Sequence, residues 1–133
     1  MVRIVLVMHA PLGTAFAACA EHVFQKKPDL TVFDVPAGAA PDKLAQQLSQ
    51  QLLAQPDKAV LMLCDLYGAT PFNIARQALK TLHENDIIAH LITGANLCML
   101  LKALNDQHED PLTLRENVRQ RGIRGIVHAD NNF

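Results

Sequence analysis

Apolar and polar positions change their period along the chain, and each change marks an element. Val2-Arg3-Ile4-Val5-Leu6-Val7 is a nearly continuous apolar run, which predicts a strand covered on both faces of a parallel sheet. His9-Ala10-Pro11-Leu12-Gly13 reads as the loop that ends it. Residues 14–26 read as a helix, with Thr14 as N-cap and Phe16, Cys19, Ala20, Val23 and Phe24 on one face. A second strand is expected over 30–35 and a loop over 36–40. Pro41 opens a helix with apolar residues at Leu44, Ala45, Leu48, Leu52 and Leu53, and Gln55-Pro56-Asp57 stops it.

A third strand follows over 58–64, then a turn and a helix over 71–83 that turns Ile74, Ala75, Ala78, Leu79 and Leu82 inward. Residues 86–92 read as a fourth strand and 95–104 as a short apolar helix. Asp110-Pro111 is a cap-plus-proline start for a fifth helix ending near Gly122. Residues 123–128 form a short strand candidate, followed by a polar tail over 129–133.

Strands alternating with helices predict one α/β domain over residues 1–133, a doubly wound, mainly parallel sheet with helices on both faces. In such sheets ligands bind beyond the carboxyl ends of the strands, where strand order reverses. With order 2-1-3-4 that point lies between the first and third strands. The first ends at His9 and the third at Asp65.

Composition narrows the function classes. A net charge of −1 supplies no basic field for nucleic acid or an anionic membrane. Arg115, Arg119, Arg121 and Arg124 are a local basic bias, read as a solvated face, with a docking patch for an acidic partner as the other use. Cys19, Cys64 and Cys98 contain no C-x-x-C pair, so they read as reduced, buried small hydrophobes of a cytoplasmic protein rather than zinc ligands or disulfides. No apolar run approaches the roughly 20 residues of a membrane helix. Residues 1–20 loosely imitate an export signal, but His9 and Pro11 interrupt the run and cleavage would remove a strand that the fold needs.

The chemistry converges on the stretch Cys64-Asp65-Leu66-Tyr67-Gly68-Ala69-Thr70-Pro71-Phe72-Asn73. Thr70-Pro71 reads as an N-cap and first helical residue, and a helix amino end is a ready anion site. An imidazole is nucleophilic only when neutral, with one nitrogen free. A carboxylate that accepts the other N–H fixes the tautomer and stabilises the charge that develops. His9 and Asp65 fit those two roles. Thr70 and the N–H groups near Ala69, Phe72 and Asn73 fit the oxygens of a transferred phosphoryl group, and Gly68 allows close backbone approach.

Each of these residues also has an ordinary structural use. Their joint placement at one sheet edge is what distinguishes them. There is no phosphate-binding G-x-x-x-x-G-K-[ST], no G-x-G-x-x-G, no H-E-x-x-H and no G-x-S-x-G. His22, His83, His90, His108 and His128 lack metal-ligand spacing and read as surface or packing residues.

Asp65 to Asn73 resembles the D-x-[aromatic]-G-G-[ST]-P-F-N segment of the IIA domains of the mannose family of the bacterial phosphoenolpyruvate-dependent sugar phosphotransferase system. His9 after an apolar first strand matches that family's phosphorylated histidine. Gly94-Ala95-Asn96-Leu97-Cys98-Met99-Leu100 resembles its G-x-N-x-P-M-L segment. The resemblance implies a cytoplasmic phosphocarrier, formally a phosphotransferase. It would take a phosphoryl group from phospho-HPr on His9 and pass it to a separate IIB protein or a regulatory target. Asp65 would orient the ring and Thr70 would hold phosphoryl oxygens, with no metal or cofactor.

The resemblance further implies a homodimer in which the C-terminal strand, here 123–128, adds to the partner's sheet. Three departures stand out: Ala10-Pro11 where the family has glycine after the histidine, Ala69 for the second loop glycine, and Cys98 for proline. The chain ends near where the family's linker begins, so no attached IIB domain is expected. Competing expectations are a regulatory phosphoprotein uncoupled from transport, the phosphocarrier subunit of dihydroxyacetone kinase, and a binding module that is never phosphorylated.

Overall fold

A computed structural model describes residues 1–55 and 59–130. The elements run β1 (Arg3–His9), α1 (Leu12–Phe24), β2 (Leu30–Val35), α2 (Pro41–Leu53), β3 (Val60–Cys64), α3 (Thr70–Glu84), β4 (Ala89–Ile92), α4 (Leu97–Asn105) and α5 (Pro111–Arg124). The four strands form an all-parallel sheet in the order β2-β1-β3-β4. The predicted architecture and the reversal of strand order between β1 and β3 are both present.

Strand side chains alternate between two cores. On one face Val5, Val7, Val60 and Met62 pack with Leu48, Leu52, Ile74 and Leu82 of α2 and α3. On the other, Ile4, Leu6, Leu61 and Leu63 meet Ala20, Leu100, Leu114 and Val118 of α1, α4 and α5. Burying each Leu or Ile contributes roughly 2 kcal/mol, so the central strands are fixed from both sides. Their carboxyl ends are held accordingly.

Several local expectations need correcting. β1 extends through Met8 and His9, because β2 keeps pairing as far as His9 opposite Val35 and the Ala10 N–H donates to the Val35 carbonyl at 3.0 Å. Leu12 and Gly13 are helical, and Thr14 is not the N-cap of α1. Pro11 holds that place without a side-chain bond, and Asp34 of β2 caps the helix from outside. Likewise Ala69, not Thr70, is the N-cap of α3.

On α1 the inward face runs through Gly13, Phe16, Ala17, Ala20 and Phe24, leaving Cys19 and Val23 exposed. Of the three cysteines only Cys64 is buried. β4 begins at Ala89, since Asp86 turns the chain with φ 60°.

The expected strand over 123–128 does not form in this chain. α5 continues through Arg124, Gly125 caps it by donating to the Arg121 carbonyl at 3.0 Å, and Ile126 and Val127 lie exposed outside any strand. The predicted start of the third strand at Lys58, the helix stop at Pro56-Asp57 and the last three residues of the tail lie outside the described residues.

Arg3, whose head lies inside the fold, reaches across to the end of α2. Its Nη2 donates to the Gln55 carbonyl at 2.9 Å and, more weakly, to that of Leu52 at 3.4 Å. A cation at a helix carboxyl end satisfies free carbonyls and complements the dipole.

Candidate functional site

The site lies at the carboxyl ends of β1 and β3. His9 is the last residue of β1, and Asp65 follows directly on Cys64, the last of β3. The two residues are 56 positions apart in sequence, yet His9 Nδ1 lies 2.8 Å from Asp65 Oδ2. The same oxygen accepts the His9 main-chain N–H at 3.0 Å. An ionised carboxylate can only accept, so this contact places the imidazole proton on Nδ1 and leaves Nε2 with its lone pair free.

Exposure divides the pair's labour: the His9 side chain is 49% exposed and that of Asp65 only 11%. The nitrogen that could react faces solvent while the group that orients it is set into the sheet edge. Burial alone would raise the Asp65 pKa. The hydrogen bonds from the His9 ring and main chain, the Asp65 backbone and the nearby His9 charge outweigh it and hold the carboxyl below its ordinary value. Asp65 Oδ1 is buried without a partner.

The loop after Asp65 carries the other predicted residues. Gly68 adopts φ 81°, a left-handed conformation that suits glycine. Ala69 is extended and precedes α3, whose amino end has no side-chain cap. Thr70 is exposed at the first helical position and Pro71 is buried. Asn73 is exposed, and its N–H already bonds to the Ala69 carbonyl at 3.0 Å. Ala69, Thr70, Phe72 and Asn73 therefore gather at one helix start, and none of them hydrogen-bonds to His9.

Cys64 fastens the loop to its surroundings. Its thiol approaches the Pro71 carbonyl at 3.9 Å, and its carbonyl accepts the Ala95 N–H at 2.9 Å. Burial, helped by the charge of Asp65, pushes the thiol up to about 12, so it stays protonated and serves packing. Asn96 caps α4 by accepting the Met99 N–H at 3.0 Å, and it donates to the Gly122 carbonyl at 3.0 Å. The second segment of the resemblance is thus a helix start that ties α4 to α5.

A family model described as PTS system fructose IIA component (EIIA-man) matches residues 3–118. The chain belongs to this family. It is a mannose-family IIA component of the phosphotransferase system, and its general role is phosphoryl transfer.

Solved IIA structures share the fold. The EIIA component from Streptococcus agalactiae is 23% identical with a TM-score of 0.85, the match covering 96% of this chain and 97% of that one. The mannose/sorbose-specific IIA subunit from Enterococcus faecalis is 21% identical with a TM-score of 0.87, covering 99% and 97%. The IIA protein associated with a fucose utilization operon in Streptococcus pneumoniae is 17% identical with a TM-score of 0.77, covering 97% and 96%. No curated protein matches the chain. No helix among the described residues is long and apolar enough to cross a membrane.

Two features around this candidate site are absent from the sequence reading. Tyr67, exposed beside the site, stacks on Phe72 with ring centroids 4.8 Å apart, and the Arg76 guanidinium lies 5.8 Å from the Phe72 centroid. Asp34 reaches the start of α1 from β2. The first could have been suspected from aromatic residues on both sides of a short turn. The second could not, because its partners lie 20 and 21 residues away.

Proposed function

We propose that this protein carries a phosphoryl group on Nε2 of His9, accepting it from phospho-HPr and passing it to a IIB protein. The observation that carries the reading is the 2.8 Å contact from His9 Nδ1 to Asp65 Oδ2, which leaves Nε2 as the nucleophile. In the transfer the Nε2 lone pair forms a bond to phosphorus as the donor's phosphorus–nitrogen bond breaks. The electron pair of that bond returns to the donor imidazole. Nδ1 keeps its proton, and Asp65 stabilises the positive charge that spreads over the ring. In the reverse sense the same arrangement releases the group to the acceptor.

The oxygens in flight need donors. α3 begins with an amino end that no side chain caps, and we assign Thr70 Oγ1 and the N–H groups at that helix start, near Gly68, Ala69 and Phe72, to hold them, the Asn73 N–H being already bonded to the Ala69 carbonyl. Quaternary structure enters the same proposal. The exposed Ile123 and Ile126 line a groove of about 550 Å³ together with Leu91, Ile92, Met99 and Arg119, among others. β4 is the edge strand there. A homodimer in which the partner's C-terminal segment covers this edge would bury those side chains.

The test is phosphoryl transfer in a purified mixture of phosphoenolpyruvate, enzyme I, HPr and this protein, read by intact mass. One added phosphate, acid-labile and alkali-stable and missing in His9→Ala, is the expected result. Normal labelling of His9→Ala would remove His9 from the role. No labelling of the wild type would favour the binding module instead.

A further inference from the structure

We propose that Asp34 is a positioning residue for His9, acting by fastening the first turn of α1 to the end of β2. For the transfer step this rests on His9 being the phosphoryl acceptor; for the geometry of the ring it does not. Only Ala10 and Pro11 separate His9 from α1, so the place of that first turn sets the path of the chain through His9. α1 has no cap of its own, since Pro11 offers no side-chain acceptor.

The Asp34 carboxylate supplies what is missing. Oδ1 accepts the Gly13 N–H at 2.8 Å, and Oδ2 accepts the Thr14 N–H at 3.2 Å and the Thr14 hydroxyl at 2.6 Å. The next residue of β2, Val35, takes the Ala10 N–H at 3.0 Å. Two consecutive residues of β2 therefore hold the chain on both sides of Pro11. Gly13 is part of the device: a Cβ there would collide with Asp34 Oδ1 and press on Val32 Cγ1.

The sheet holds the His9 backbone from the β1 side, and the Asp34 device holds it from the α1 side. The His9 ring is half exposed, and the hydrogen bonds that orient it run to Asp65 on the neighbouring strand end. One of them comes from the His9 main chain, so displacing the backbone changes both. A small displacement of a nucleophile costs a large factor in rate.

The experiment compares wild type, Asp34→Ala and Asp34→Asn by two measurements. The first is the proton NMR signal of His9 Nδ1–H, which reports the bond to Asp65 and needs no phosphoryl donor. The second is single-turnover phosphoryl uptake from phospho-HPr, corrected for the folded fraction.

Asp34→Ala is expected to lose or broaden the Nδ1–H signal. Its maximal uptake rate should fall about tenfold while the donor concentration at half-saturation stays within about twofold. Asp34→Asn keeps an acceptor oxygen for the helix start and is expected to restore the signal and most of the rate. A wild-type signal and rate in folded Asp34→Ala would overturn the proposal, and so would an Asp34→Asn protein no better than Asp34→Ala. If the wild type takes up no phosphate, the phosphocarrier reading fails, whereas the Nδ1–H comparison still decides whether Asp34 positions the ring.

Discussion

Asp65 binds His9 twice through one oxygen: Oδ2 accepts both the Nδ1–H of the ring, at 2.8 Å, and the main-chain N–H, at 3.0 Å. The carboxylate therefore fixes where the histidine backbone sits as well as which nitrogen of its ring is free. Parallel pairing of β1 with β3 brings the two together, and the cores on both faces of the sheet keep those strands from shifting.

Asp65→Asn tests the tautomer argument. An amide can donate to Nδ1 through its nitrogen and stabilise the wrong tautomer, with the proton on Nε2. The variant is expected to fold normally by circular dichroism and to accept phosphate about 10²-fold more slowly or worse. A rate within about twofold of wild type would remove Asp65 from the chemistry.

The same pair predicts a pH dependence of stability. The folded-state pKa of Asp65 is depressed by its bonds to His9 despite partial burial. Its contribution is therefore complete above the ordinary carboxylate value and is lost as pH falls through the lower folded one. Urea unfolding of wild type and Asp65→Asn should show a stability difference that shrinks as pH falls below the ordinary carboxylate value of about 4 and through the depressed folded one. Above that window the carboxylate contributes no further slope of its own.

Thr70→Ala separates transfer from folding. The Thr70 side chain is exposed and does not cap α3, so the melting temperature should stay close to that of wild type. If its hydroxyl holds a phosphoryl oxygen, uptake should fall about 10²-fold, the scale of removing one donor from an oxyanion site. Thr70→Ser should recover most of that loss.

Gly68→Ala probes the loop itself. The glycine has φ 81° and open space around it, so the added methyl meets no neighbour and the effect is purely conformational. A destabilisation of about 1 kcal/mol is expected in urea unfolding. Leu48→Ala, deep between α2 and the sheet, should cost about 2–5 kcal/mol, mostly as cavity.

The architecture was legible because its signals are local and repeated. Val2 to Val7 and Val60 to Cys64 are nearly unbroken apolar runs, and Leu44, Leu48 and Leu52 keep a helical period. His9 and Asp65 could be paired in advance because strand order alone brings their strand ends together. Asp34 could not, since an acid near the end of a strand looks the same whether or not it caps a helix beyond the next turn. The 123–128 segment differs within the single chain for a related reason. Its apolar residues suit a strand, but within a single chain α5 runs on through Arg124, and Ile126 and Val127 pair with no strand among the described residues, although β4 is an open edge nearby.

The most direct test of the central claim is nitrogen NMR on protein phosphorylated by phospho-HPr with its histidines labelled with nitrogen-15. The phosphorus should be coupled to Nε2 of His9, with Nδ1 still protonated against Asp65. Phosphorus on Nδ1, or on any other residue, would contradict the account.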